Sequence, residues 1–173
     1  MNIHYKLALD VMSGERDPHA SIEAAIQALK NDDALEFYLV GNEEKILGLF
    51  PEDLMQRVEI IHTDEVVSMD ESPVDALRKK KNSSMRLSVN LVSEGKADAC
   101  VSSGNTGALM ANAKYVLKTL PTIDRPAFMK AIPTKGGHTY MLDLGANSTC
   151  TAEQLYQFAL MGNLVAREIK GIL

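Results

Sequence analysis

The sequence predicts an α/β fold: a three-layer α/β/α sandwich with a largely parallel, Rossmann-like sheet and one antiparallel hairpin. Three observations lead there. Short apolar runs alternate with segments of helical period, the pattern of a parallel sheet covered by helices. Several of those runs end in loops of small polar residues, as strands do at the carboxyl edge of such a sheet. Two runs late in the chain flank a Gly136-Gly137 turn, which is a hairpin signal.

The elements follow in order. Residues 5–10 (YKLALD) read as a strand. Asp17 then caps a helix with Pro18 at its first position and an apolar stripe of Ile22, Ala25, Ile26 and Leu29. Residues 35–40 form a second strand ended by Gly41. Short helices follow through Ile46 and around Leu54, and residues 58–62 form a third strand. A polar stretch, 63–72, leads to Pro73 and a short helix. Ser83 or Ser84 caps the next helix, which buries Leu87, Val89, Leu91 and Val92 and ends at Gly95. Residues 97–102 are a fourth, buried strand. A helix from Thr106 ends before Pro121. Residues 127–132 and 139–144 form the hairpin, which adds an antiparallel component to the sheet. Thr151 and Gln154 make a capping box for a last helix reaching about Lys170, with Leu155, Phe158, Ala159 and Met161 inward. No linker or repeat interrupts residues 1–173, which read as a single α/β domain.

Composition narrows the function classes. The chain has 173 residues, 46% apolar and 24% charged, which suits one ordinary globular core. A net charge of −5 argues against general nucleic-acid binding. No apolar run approaches the ~20 residues that span a bilayer, and the N-terminus reads as a strand rather than a signal peptide. Two cysteines, Cys100 and Cys150, do not make a disulfide framework. Cys100 reads as core packing; Cys150, just before a helix, reads as either an ordinary thiol or one with lowered pKa. His4, His19, His62 and His138 are isolated, so no metal site is predicted. Neither a GxSxG elbow nor a GxGxxG fingerprint with its downstream acid is present, which disfavours a nucleotide-linked dehydrogenase.

The chemistry concentrates in Ser103, Gly104, Asn105, Thr106 and Gly107, between a strand and a helix. Free N–H groups and the helix dipole favour an anion there, and glycine lets a ligand approach the backbone. The same two glycines also suit a turn built only for packing. Asp10–Gly14 and Asp143–Asn147 are two further strand-end loops, expected to converge on the same edge, with Asn147 beside the glycine loop. Asp10 and Asp143 read as carboxylates that tie their own loops. The run Arg78, Lys79, Lys80, Lys81 is either a solvated helix end or a docking patch for an acidic or phosphorylated partner. Lys135, at the hairpin tip, is either a solvated turn lysine or a cation that closes over a phosphate.

Several stretches together carry a resemblance: MDESPVDALRKKKNSSMR (69–86), ACVSSGNTGALM (99–110), DRPAFMKAIPTKGG and LDLGAN. In this order and spacing they resemble the PlsX family of bacterial phosphate acyltransferases, from about Leu7 to Ile172. Family members are about twice as long, so the chain looks like an N-terminal half, and its ending at Gly171-Ile172-Leu173 looks like a truncation. The resemblance implies transfer of a fatty acyl group from acyl-[acyl carrier protein] to inorganic phosphate, giving acyl phosphate for phospholipid synthesis. It implies no cofactor, a cytoplasmic homodimer, and peripheral contact with the membrane. Acyl carrier protein, acidic and bearing a phosphopantetheine arm, would suit Arg78–Lys81, and phosphate would suit Ser103–Gly107, Asn147 and Lys135. No catalytic base is assigned. The alternative is a non-catalytic acyl-carrier or anion-binding derivative. Departures from the family pattern cluster near this site: Ser13 stands for a glycine, Glu15 for an aspartate, and Ser148-Thr149 for a Val-Asp pair.

Overall fold

The computed structural model describes residues 4–15, 18–145, 147 and 149–170; the expected cap Asp17 and the tail Gly171–Leu173 lie outside them. The chain divides into two compact units, 1–117 and 118–173.

The first unit is built on strands β1 (Tyr5–Asp10), β2 (Leu35–Gly41), β3 (Val58–His62) and β4 (Ala99–Ser102). They form one parallel sheet in the order β3-β2-β1-β4, with Asp10 opposite both Val40 and Ser102. Successive side chains in a strand point to opposite faces, and both faces here are apolar. Leu9 and Leu39 face helices α1 (Pro18–Asn31) and α2 (Glu43–Leu47) and the 3-10 turn Glu52–Arg57, packing with Ile22, Ala25, Leu29, Ile46 and Phe50. Ala8, Tyr38 and Val40 face the opposite way, onto Leu87, Leu91 and Val92 of α4 (Ser84–Ser93). Helix, sheet and helix therefore make three layers, as the sequence predicts. Helices α3 (Pro73–Lys79) and α5 (Thr106–Leu117) complete the unit, and Val67, Ala76, Met85 and Ala108 form a further apolar cluster. Arg57 closes the far end of α1: its guanidinium donates to the carbonyls of Leu29 (2.8 Å), Leu35 (2.7 and 3.0 Å) and Asp32.

One expectation for this unit is overturned. β4 is the sheet's edge strand rather than a buried one, and Val101 is 47% exposed. A continuous apolar run cannot distinguish an edge from a centre, because strand order is a long-range property.

The second unit holds the hairpin β5 (Met129–Thr134) and β6 (Gly137–Leu142), joined through Lys135-Gly136, and helix α6 (Ala152–Lys170). The hairpin is a sheet of its own and does not extend the parallel sheet. Its strands also sit two residues from the expected positions, since pairing brackets the Lys135-Gly136 turn. The capping box on α6 is present: Gln154 N–H donates to Thr151 Oγ1 (3.3 Å) and Thr151 N–H to Gln154 Oε1 (3.0 Å). Phe158 is buried and Met161 half-buried, but Leu155 is 58% exposed and Ala159 is exposed. The covered face of α6 instead includes Gln157, whose amide pairs with Asp124, and Gly162, which admits Leu142. Tyr156 and Leu164 are exposed apolar residues of α6 as well, so apolar character alone does not mark its covered face. Among the described residues no helix is long and apolar enough to cross a membrane.

Candidate functional site

Because β1 and β4 are neighbours, the loops that leave their carboxyl ends lie side by side. Asp10, fully buried, ties them together. One carboxylate oxygen accepts from the N–H groups of Met12 (3.3 Å) and Ser13 (3.2 Å), and the other from Ser102 Oγ (2.7 Å). Ser102 Oγ in turn accepts from Gly104 N–H (3.2 Å), and Ser103 Oγ donates to the Ser13 carbonyl (2.9 Å). Asp10 is thus the loop-tying carboxylate expected of it.

Gly104 is buried in this seam. A Cβ built on it would stand 2.5 Å from Ser13 Cβ and 2.9 Å from Met85 Cε, so its lack of a side chain serves loop packing. Ser13 has no positive φ, so the serine at the family's glycine position is unstrained. Its hydroxyl, however, is buried without a hydrogen-bond partner. The adjoining Gly14 has φ +130°.

Asn105 is where the structure adds most. Its Oδ1 accepts from Ala108 N–H (3.0 Å), capping α5. Its Nδ2 donates to the carbonyls of Met69 and Glu71 (both 2.9 Å), with Ser68 O at 3.4 Å. Both ends of this amide are therefore engaged within the protein. What the helix start presents outward is Thr106 and Gly107, both exposed, whose N–H groups lie in the first turn and have no intrahelical partner. Glu15, Ser102 and Ser103 border an open groove of about 560 Å³ in the first unit.

Residues 63–72, which read as a polar connection, form an ordered strap. Thr63 Oγ1 donates to Asn82 O (2.7 Å), Glu65 accepts from Asn82 N–H (2.7 Å), and Lys80 Nζ donates to Val66 O (3.1 Å). Val67 is buried beneath it. The sequence signals for it are the apolar residues Val66, Val67 and Met69 in a stretch of polar ones.

The basic run is not a uniform patch. Lys79 pairs with Asp75 at 2.8 Å, and that hydrogen bond and charge hold its pKa above the usual lysine value. Lys80 anchors the strap. Arg78, Lys79 and Lys81 are exposed, and Lys80 is half-buried.

Lys135 and Asn147 belong to the second unit. Lys135 is exposed in the hairpin turn. Asn147 ties its own loop: its N–H and Nδ2 donate to Asp143 (2.7 and 3.1 Å), and Nδ2 also donates to Pro126 O (3.2 Å). Asp143 additionally accepts from Phe128 N–H (2.9 Å), so it too is a loop-tying carboxylate. This loop leaves an antiparallel hairpin, not the parallel sheet, which removes the basis for placing it on that sheet's carboxyl edge. Cys100 sits in β4, where burial pushes its thiol up to about 12; Cys150 is exposed. Among the described residues no cluster of His, Cys, Asp and Glu could hold a metal ion.

The family model described as fatty acid synthesis protein matches residues 5–173. The chain is 52% identical over 167 residues to a phosphate acyltransferase of Shewanella sp. (strain ANA-3), covering 94% of this chain and 49% of that protein. It is 53% identical over 169 residues to that of Alkalilimnicola ehrlichii (96% and 49%) and 54% identical over 165 residues to that of Coxiella burnetii (92% and 48%). The chain spans about half the length of these curated relatives.

Proposed function

Since the chain belongs to the fatty acid synthesis protein (PlsX) family, we propose that it supplies the anion-binding half of a phosphate acyltransferase. The reaction moves a fatty acyl group from acyl-[acyl carrier protein] to inorganic phosphate. A phosphate oxygen attacks the thioester carbonyl carbon, a C–O bond forms, the C–S bond breaks, and the carrier's thiolate leaves with the bonding pair. Phosphate is already an anionic nucleophile and a thiolate leaves readily, so neither a covalent enzyme intermediate nor an assigned base is required. The protein's task is positioning, worth ~7–11 kcal/mol at best, and stabilising the carbonyl oxyanion, where one preorganised donor contributes about 2.7–4 kcal/mol.

The observation that carries this reading is the start of α5: exposed Thr106 and Gly107 beside Ser103, at the carboxyl edge of a parallel sheet. Thr106 Oγ1 and the N–H groups of Thr106 and Gly107 are the donors assigned to the phosphate or the oxyanion. Asn105 acts by holding that turn. Arg78 and Lys81 are assigned to the acidic carrier protein. Residues 1–173 are taken as one α/β portion of an enzyme that works in the cytoplasm as a homodimer touching the membrane peripherally.

The test is turnover of a palmitoyl-[acyl carrier protein] thioester with and without inorganic phosphate, following free thiol and trapping acyl phosphate as the hydroxamate. The expected result is phosphate-dependent thiol release, well below the rate of a complete relative. Binding of the thioester with no phosphate-dependent release would make this chain the non-catalytic binder instead.

A further inference from the structure

Lys80 stands apart from the other members of the basic run. Its backbone is pinned on both sides: its N–H donates to Ala76 O (3.1 Å), and its carbonyl accepts from Ser83 Oγ (2.8 Å). From that fixed corner between α3 and α4 the half-buried side chain gives its ammonium to the Val66 carbonyl (3.1 Å). A hydrogen bond from a charged donor is among the stronger ones. Only Val67, buried with Ala76, Met85 and Ala108, separates that carbonyl from a closed turn over residues 68–71. Glu71 N–H donates to Ser68 O (3.2 Å), and Ser68 N–H to Glu71 Oε2 (3.2 Å). The Met69 and Glu71 carbonyls of this turn converge on Asn105 Nδ2. The same planar amide presents Oδ1 to Ala108 N–H. Just beyond the turn, Pro73 lies against α5, so that a Cβ built on Gly107 would stand 2.8 Å from its Cγ. The strap therefore bears on the start of α5 at two points, and Lys80 holds the strap's other end.

We infer that Lys80 is a positioning residue: through Val66 and the 68–71 turn it sets the Asn105 amide, and with it the direction of the Thr106 and Gly107 N–H groups. When Val66 is released, the closed turn shifts as a unit. The amide plane tilts to follow its two carbonyls, and Oδ1 leaves Ala108 N–H, which loosens the first turn of α5. Lys80 is then a different kind of group from Arg78 and Lys81. Their charges face solvent, whereas its ammonium is spent on the backbone that braces the Ser103–Gly107 loop. The use of this link in phosphate binding rests on the reading of the α5 start as the anion site; the link itself does not.

The experiment compares the chain with Lys80→Met, which keeps the side chain's length but not its donor, and with Lys80→Arg, which keeps a charged donor. Amide exchange over residues 68–72 and the backbone amide resonances of Thr106 and Gly107 report the link. The same resonances, followed as inorganic phosphate is titrated at constant ionic strength, report the site. We expect Lys80→Met to stay folded, to exchange about tenfold faster over 68–72 and to shift the Thr106 and Gly107 resonances before phosphate is added. It should bind phosphate about 2–30-fold more weakly, and Lys80→Arg should restore both properties. In an Asn105→Ala background, where the turn is already released, Lys80→Met should weaken phosphate binding no further. A lysine acting by its charge alone would weaken it by the same factor in both backgrounds, and that result overturns the proposal. So do unchanged exchange over 68–72, unmoved resonances in Lys80→Met, and global unfolding of that variant. If phosphate leaves the Thr106 and Gly107 resonances of the unaltered chain in place, the reading of the loop as an anion site fails; faster exchange and shifted resonances in Lys80→Met still uphold the positioning role.

Discussion

Asn105 joins two parts of the structure through one amide, so its removal has a calculable effect. In Asn105→Ala the α5 cap is lost, which costs about 1 kcal/mol. The Met69 and Glu71 carbonyls lose their 2.9 Å donors, at about 0.5–1.5 kcal/mol each. The sum is about 2–4 kcal/mol, a fall of roughly 4–16 °C in Tm for a chain of this size. Asn105→Asp separates the two contributions. It keeps an oxygen for Ala108 N–H, and its charge suits the helix N-terminus. It also turns a donor into an acceptor facing two carbonyls. Thermal unfolding measures the total, and amide exchange over residues 68–72 measures the strap. Asn105→Ala should lower both stability and protection; Asn105→Asp should lose the protection with a smaller fall in Tm. An Asn105→Ala variant within 0.5 kcal/mol of wild type (about the scatter of ordinary surface changes), or an Asn105→Asp variant with a fully protected strap, would refute the reasoning.

Three further outcomes follow from single groups. Ser13→Ala removes a buried hydroxyl without a partner and should raise stability in urea by about 1–3 kcal/mol; a loss would mean the hydroxyl has a role in the fold. Arg57→Lys keeps the charge but not the planar fork that reaches the carbonyls of Leu29 and Leu35, so it should destabilise by about 1.5–3 kcal/mol, close to Arg57→Ala, in the same assay. At pH 8 a thiol-exchange reagent should titrate Cys150 rapidly and Cys100 only after unfolding. Because the folded Cys100 pKa is raised from 9.0 to about 12, its contribution to stability is complete below pH 9 and falls as pH climbs towards 12; Cys100→Ala should flatten that alkaline decline, and equal reaction rates for both thiols would contradict the assignment.

The sequence by itself determined the elements and their alternation. The Thr151/Gln154 box, Ser83 before α4 and the Ile22-Ala25-Leu29 stripe are local devices, and each sits where its chemistry places it; the glycine turn is local too, but it closes at Lys135-Gly136 with Gly137 already in β6. It also located the Ser103–Gly107 turn between a strand and a helix, and the loop-tying character of Asp10 and Asp143. Only the tertiary structure decided that β4 is an edge, that the hairpin forms its own sheet, and that Leu155 and Ala159 face out. Strand order and the covered face of α6 depend on contacts between residues far apart in the chain, which no local pattern encodes. The role of Asn105 shows the same division. Its place before α5 marks a cap, a bond reaching three residues on. Its grip on Met69 and Glu71 crosses more than thirty residues, and only the folded chain brings those carbonyls within 2.9 Å of its amide.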